Sequence, residues 1–278
     1  MIRPKKHLGQ HFLRDENIAR KIVSYLNPAY PLVLEIGPGM GVLTKYILGD
    51  PDFDAYFMEI DRESVEYLNA AFPGISNRLI PADFLSYDLD KFPPITHPET
   101  TSHPDNRASL PKFTVIGNFP YNISSQILFR ALENRDRIPE VIGMFQKEVA
   151  ERIAAPPGNK TYGIISVLLQ AFYDIEYLFT VSETVFSPPP KVKSAVIRLR
   201  RNSTAKLACD EPFFIRLVKT AFNQRRKTLR NAIRPLLLAT TATTLSGSPT
   251  LSGYLDLRAE RLSVDDFVKL AQEISTFA

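Results

Sequence analysis

Val33-Leu34-Glu35-Ile36-Gly37-Pro38-Gly39-Met40-Gly41 decides how the rest of the chain is read. A short, mostly apolar run passes directly into three glycines at alternate positions. A strand therefore ends in a loop whose backbone can turn sharply and come close to a ligand. Working outward, Ala55-Tyr56-Phe57-Met58, Arg78-Leu79-Ile80, Phe113-Thr114-Val115-Ile116 and Val141-Ile142-Gly143-Met144-Phe145 read as further strands, separated by helical stretches. That alternation predicts βαβ units and a mostly parallel sheet. Ile164–Phe172, Ile175–Val181 and Ser194–Leu199, the last after the rigid Pro188-Pro189-Pro190, are expected to complete the sheet. From Asp210 to Phe277 helical periodicity takes over, apart from a Ser/Thr-rich loop at Thr240–Ser252. A boundary near Asn202–Cys209 gives an α/β domain over 1–203, with a basic N-terminal segment, and a small helical domain over 204–278.

The 278 residues, 44% hydrophobic and 23% charged, suffice for a sizeable core and for two domains. No stretch approaches the roughly 20 apolar residues of a membrane span, and no apolar run follows the basic N-terminus, so a cytoplasmic protein without a membrane partner is expected. Cys209 stands alone, which excludes an internal disulfide and a multi-cysteine zinc site; no metal is implied. Charge is unevenly spread. Residues 1–30 hold six Lys/Arg against two Asp/Glu, 31–190 twelve against 21, and 191–234 thirteen against two. An acidic middle between basic blocks suggests a small-ligand site flanked by surfaces for a polyanion, or else simply a solvated basic face. Pro93–Lys112, with five prolines and with His97 and His103, reads as a surface insertion without a catalytic role.

Three side chains stand at or just beyond strand ends: Glu59, Asp83 and Asn118. Ligands of open α/β sheets bind at the carboxyl ends of strands, so the three should converge on one crevice. A dinucleotide fingerprint would need glycine where Val42 stands. The spacing Glu35-x-Gly37-x-Gly39-x-Gly41 instead resembles the first motif of class I S-adenosylmethionine-dependent methyltransferases, whose loop wraps the amino-acid part of the cofactor. Glu59, about 20 residues on, can accept from both hydroxyls of a ribose. Asp83 can accept from an adenine amino group with Phe84 beside the ring, or act as a turn residue. Asn118-Phe119-Pro120-Tyr121 carries the sharpest chemistry. An exocyclic amine of a nucleobase is a poor nucleophile because its lone pair is delocalised into the ring. The Asn118 amide oxygen and the Pro120 carbonyl can accept its two N–H bonds and draw the nitrogen toward a tetrahedral shape, while Tyr121 stacks on an extruded base. As a bare turn the tetrapeptide is also unremarkable, since Asn and Pro favour turns.

Lys6-His-Leu-Gly-Gln-His-Phe-Leu13, Glu35–Gly41, Asn118-Phe-Pro-Tyr-Asn-Ile-Ser124, Gln146-Lys-Glu-Val149, Phe186-Ser-Pro-Pro-Pro-Lys-Val192 and Phe222-Asn-Gln-Arg-Arg-Lys-Thr-Leu-Arg-Asn231 together resemble the small-subunit ribosomal RNA adenine dimethyltransferases, nearly end to end. The resemblance implies a Rossmann-like sheet with helices on both faces followed by a helical RNA-binding domain. It also implies transfer of four methyl groups from S-adenosylmethionine to the N6 amines of two adjacent adenosines near the 3′ end of that RNA, within an assembling small subunit. By the same likeness His11, Leu13, Gly37, Gly39, Glu59, Asp83 and Asn118 contact the cofactor, and Phe186 helps hold the target base. His11 stands where the family usually has Asn, Phe119 where it usually has Leu, and the Pro93–Lys112 insertion is longer than usual. A monomer is expected.

Phe213–Arg234 lacks internal proline and glycine and stops at Pro235, which predicts one helix. At about 100° per residue, Arg216, Lys219, Arg226, Lys227, Arg230 and Arg234 share one stripe and the apolar residues the other, so the stripe suits RNA phosphates. Arg225 projects to the apolar side as a structural ion-pair partner. Two other functions remain open at this level: an adenine methyltransferase acting on DNA or another RNA, and a ribosome-assembly or nucleic-acid-binding factor whose methylation is incidental.

Overall fold

The computed structural model describes residues 4–5, 8–93, 110–237 and 253–276. His7, His97, His103, most of the Pro93–Lys112 insertion and the Thr240–Ser252 loop lie outside them. In chain order the elements are β1 (Phe12–Leu13), α1 (Glu16–Val23), β2 (Leu32–Ile36), α2 (Thr44–Leu48), β3 (Asp54–Met58), α3 (Arg62–Ala71), β4 (Leu79–Ile80), β5 (Thr114–Asn118), α4 (Ser124–Glu133), β6 (Glu140–Gln146), α5 (Lys147–Ala154), α6 (Ile164–Gln170), β7 (Tyr173–Val181), β8 (Phe186–Ser187), β9 (Ser194–Arg201), α7 (Glu211–Asn223), α8 (Leu229–Ala232) and α9 (Val264–Thr276), with short 3-10 turns between some of them.

Seven strands form one sheet in the order β4-β3-β2-β5-β6-β9-β7. The β2, β3, β4, β5 and β6 pairings are parallel, and β9 runs antiparallel to β6. Successive strand residues point to opposite faces, yet all five residues of β2 are buried. Both faces of the sheet are therefore covered at β2, as a parallel sheet requires. On one face Val33, Phe57, Ile116 and Met144 join Ala19 and Ile22 of α1, Ile47 of α2 and Leu68 of α3 in a single apolar cluster. Helix starts follow from side-chain caps: Asp15 accepts from the Asn17 and Ile18 N–H groups, and Asp210 accepts from Phe213 N–H at 2.6 Å, with Pro212 in the first turn.

Two expectations fail here. Ile164–Gln170 is the helix α6 rather than a strand; Ile165, Ser166, Val167, Leu168 and Leu169 are all buried, so no one-sided periodicity marks it. The Ser166 hydroxyl accepts from Gly163 N–H at 3.0 Å and ties the first turn. The single helix Phe213–Arg234 is also broken: α7 ends at Asn223 and α8 begins at Leu229. Tertiary partners pull the intervening turn out of helical geometry. Arg225 donates to the Lys160 carbonyl and lies 3.8 Å from Glu260, and Leu229 N–H donates to the Leu257 carbonyl at 2.7 Å. The structural ion-pair role expected of Arg225 is thus observed.

By internal contacts the chain divides into two compact units, Met1–Ala150 with Glu176–Arg201, and Glu151–Ile175 with Asn202–Ala278. One division falls at Arg201, beside the stretch read as a boundary. Residues 151–175 group with the C-terminal unit, where Tyr162 meets Phe222 edge-on and Gly158 N–H donates to the Glu260 carbonyl. Among the described residues no helix is long and apolar enough to cross a membrane.

Both ends of the insertion are fixed. The buried Arg137 guanidinium donates to the Leu89, Phe92 and Pro111 carbonyls and lies over the Phe113 ring, 5.3 Å from its centroid.

Candidate active site

From β2 the chain proceeds outward to β3 and β4, then crosses back so that β5 lies on the other side of β2. The order reverses between β2 and β5, and their carboxyl ends open the crevice where open α/β sheets hold ligands. Gly37 and Gly39 follow β2 with φ of +66° and +57°, a conformation L side chains rarely adopt. A Cβ on Gly39 would sit 2.9 Å from the Phe12 ring, whereas one on Gly37 would meet nothing within 4 Å. Gly39 thus lets the N-terminal segment pack down, and Gly37 presents bare backbone to the cavity.

Glu59, 4% exposed, accepts from Gly39 N–H at 3.0 Å through one oxygen and from Asp61 N–H at 2.9 Å through the other. Burial raises its pKa, against those two backbone donors. Each carboxylate oxygen keeps a lone pair for a ligand hydroxyl. Behind the glycine loop, fully buried Glu35 accepts from the Thr44 hydroxyl at 2.7 Å; desolvation pushes its pKa up to about 8, and Glu59 adds to the rise. Asp83 caps its own turn through Leu85 N–H at 2.9 Å, which leaves one oxygen over, and Phe84 beside it is buried.

Asn118 closes β5. Its amide nitrogen donates to the His11 carbonyl at 2.8 Å, so the amide oxygen is turned the other way. The Pro120 carbonyl accepts from Ile123 N–H at 3.1 Å and retains a second lone pair. Tyr121 is held by its hydroxyl against Ser194 at 2.5 Å, and His11 lies against one face of its ring, centroids 5.5 Å apart. His11 Nδ1 sits 2.8 Å from the Pro188 carbonyl and therefore carries the proton. The strap bearing His11 is anchored at its other end, where Lys5 Nζ meets Asp61 at 2.5 Å and Gln10 donates to the second Asp61 oxygen at 3.2 Å. Burial works against ionisation of Asp61, yet Lys5 and Gln10 hold its carboxyl below the usual range.

His11, Gly37, Gly39, Glu59, Asp83, Phe84, Asn118, Pro120 and Tyr121 all line one cavity of about 980 Å³, counting its mouth open to solvent. Leu13 and Phe186 do not. They face each other in register across the β1–β8 ladder, each 4% exposed, and belong to the apolar cluster under the sheet. Their side chains pack the strap against the sheet. Sequence reading missed Ile60, 57% exposed at the cavity, and Asn122 and Gln10 beside it. Each neighbours a residue that was singled out, and that adjacency was the available signal.

The basic residues need a correction. With the helix broken, only Arg216 and Lys219 belong to α7, Arg226 and Lys227 occupy the turn, Arg230 is on α8 and Arg234 follows it. The shared stripe of one continuous helix does not exist, although all six remain exposed. Arg230 pairs with Asp256 at 3.0 Å, and Arg216 lies over the Phe213 ring.

The family model "Ribosomal RNA adenine dimethylase" matches residues 1–275. "Ribosomal RNA small subunit methyltransferase A" of Cytophaga hutchinsonii is 53% identical over 276 residues, 99% of this chain and 98% of that protein. The protein of the same name from Flavobacterium johnsoniae is 53% identical over 98% of this chain and 96% of its own length. Among solved structures, a dimethyladenosine transferase from Plasmodium falciparum superposes with TM-score 0.74 at 23% identity, over 96% of this chain and 98% of that one. The 23S rRNA methyltransferase ErmE does so with TM-score 0.63, also at 23% identity, over 94% and 99%. The sheet is therefore the Rossmann-like class I methyltransferase sheet expected from the sequence. With a match spanning nearly every residue and a glycine loop, a buried carboxylate and an amide meeting at one switch point, the chain belongs to the ribosomal RNA adenine dimethylase family.

Proposed function

We propose that the protein transfers methyl groups from S-adenosylmethionine to the N6 amines of two adjacent adenosines near the 3′ end of small-subunit ribosomal RNA, giving N6,N6-dimethyladenosines. One observation carries the reading. The Asn118 amide is fixed by the His11 carbonyl with its oxygen outward, one residue from the half-free Pro120 carbonyl. Two neighbouring acceptors, with no Lys or Arg among the described residues lining the cavity, suit an uncharged amine donor.

The residues present fit the cofactor. The bare Gly37 backbone accommodates its amino-acid end, Glu59 has lone pairs for both ribose hydroxyls, and Asp83 with Phe84 suits an adenine amino group and ring. When bound, S-adenosylmethionine supplies an electrophilic methyl group on a sulfonium. Asn118 and Pro120 take the two N–H bonds of the target amine and aim its lone pair, so rate comes from orientation rather than from a strong base. The proton of the methylated amine, then strongly acidic, passes to solvent. A purine stacked on Tyr121 takes the face opposite His11 or takes the place of His11. Arg216, Lys219, Arg226, Lys227, Arg230 and Arg234 contact phosphates as separate exposed groups, positioning RNA without reading sequence. The protein acts in the cytoplasm as a monomer on an assembling small subunit, with the unit of 1–150 and 176–201 as the catalytic part and the unit of 151–175 and 202–278 as the RNA-binding part.

The test is mass spectrometry of nucleic acid after incubation with cofactor, comparing small-subunit RNA, small-subunit particles and duplex DNA. N6,N6-dimethyladenosine at two adjacent positions of the ribosomal RNA is expected. Label in DNA alone contradicts the substrate, and full RNA binding with no label contradicts catalysis.

A further inference from the structure

Phe119 stands between the two residues whose oxygens the reaction uses, and its ring is 1% exposed. Gly117 on β5 and Gly143 on β6 are register partners in the parallel pair. Glycine weakens a strand interior, so two facing glycines in the middle of a sheet call for a reason. The Phe119 ring supplies one. A Cβ on Gly143 would lie 2.3 Å from Phe119 Cε2 and 2.6 Å from Phe145 Cε2, and a Cβ on Gly117 would lie 2.7 Å from Phe119 Cε1. The ring fills space that side chains at 117 and 143 would take, although a Cβ on Gly117 would also meet the Ile36 carbonyl at 2.6 Å, and Phe145 closes the ring's edge at a centroid distance of 5.3 Å and 74°.

We infer that Phe119, seated in the Gly117–Gly143 slot, is a positioning residue for methyl transfer: the locked ring fixes the backbone from 118 to 120 and thereby the directions of the Asn118 and Pro120 oxygens. The inference rests on the amine-acceptor reading above. Gly143, on a neighbouring strand and outside the motif, is then a determinant of catalytic geometry that touches no ligand. A group added at Gly143 must displace the Phe119 ring and press on Phe145, and with the ring 1% exposed that displacement is passed to the backbone on either side of Phe119. A misplacement of about 1 Å at reacting groups costs on the order of 100-fold in rate. Cofactor affinity should change much less than rate, because Gly37, Glu59 and Asp83 lie on other strand ends, although Asn118 and Phe119 line the same cavity.

The experiment compares the full-length wild type with Gly143→Ala, Phe119→Ala and the double variant Phe119→Leu/Gly143→Ala, in kcat and KM for small-subunit particles, calorimetric affinity for S-adenosylmethionine, and thermal melting. Gly143→Ala and Phe119→Ala are each expected to lose at least about tenfold in kcat with cofactor affinity within about threefold. The double variant, whose shorter side chain leaves room for the added methyl, is expected to recover kcat to within about threefold of wild type. Wild-type kcat in folded Gly143→Ala or folded Phe119→Ala overturns the inference, as does a double variant that is folded but as slow as Gly143→Ala. Should Gly143→Ala not fold, Phe119→Ala and the double variant decide by the same criteria. Asn118→Ala run alongside separates the two readings: full activity there defeats the amine-acceptor reading, whereas loss there with normal Gly143→Ala defeats only this inference.

Discussion

Replacing Glu35 by Gln should change how stability depends on pH. Glu35 is 2% exposed, its visible partner is the Thr44 hydroxyl, and desolvation raises its pKa from 4.5 to about 8. Below pH 4.5 the carboxyl is protonated in folded and unfolded chains alike and contributes no slope. Between there and about pH 8 the unfolded chain has lost the proton that the folded chain keeps, so stability falls as pH rises. The slope is roughly 1.4 kcal/mol per pH unit, and across the window the cost reaches roughly 5 kcal/mol as an upper bound. The Gln amide oxygen can still accept from Thr44 but cannot ionise. Urea unfolding of wild type and Glu35→Gln at pH 5.5, 6.5 and 7.5, without cofactor, measures the difference. The variant should lose relative stability at low pH and gain it at high pH, the curves converging or crossing with a difference in slope near one proton. Other buried carboxyls, Glu59 and Glu140, also have raised pKa values and tilt both curves equally. Parallel curves would show that Glu35 is ionised in the folded protein and refute the argument.

Arg137→Ala removes a buried guanidinium that closes both ends of the insertion, and should cost about 3 kcal/mol or more in urea unfolding with cofactor affinity unchanged. Arg137→Lys should recover little, because one ammonium cannot span the three carbonyls. Glu59→Ala should weaken cofactor binding in calorimetry by tenfold or more; unchanged affinity would remove Glu59 from the ribose. Replacing Arg226, Lys227 and Arg230 together by Ala should lower the salt slope of RNA binding by about 2 to 3, one unit or slightly less per lost phosphate contact. An identical slope would take that surface out of the interface.

The sheet was legible in the sequence because its strands are short apolar runs, several of them followed by glycine, an acid or Asn118. The run expected at Val33–Ile36 is observed at Leu32–Ile36, and that at Ala55–Met58 at Asp54–Met58. The site was legible for the same reason: strand ends at a switch point gather Gly37, Glu59 and Asn118 whatever the intervening helices do. What was not legible depends on partners distant in sequence. α6 is buried on all sides and shows no stripe, and the break after Asn223 is imposed by Lys160, Glu260 and Leu257. The pairing of Phe186 with Leu13, which buries both side chains, also depends on a partner distant in sequence. Nothing in the sequence marks Gly143 inside its strand; the rings of Phe119 and Phe145 packed against it show why a side chain is missing there.

The central claim is that the Asn118 and Pro120 oxygens hold the target amine, and a crystal structure with bound cofactor and an adenosine-containing RNA fragment tests it most directly. Both oxygens should lie within about 3.2 Å of the adenine N6, with the Asn118 amide nitrogen still on the His11 carbonyl. An adenine bound elsewhere, or an Asn118 amide rotated so that its nitrogen faces N6, would contradict the account.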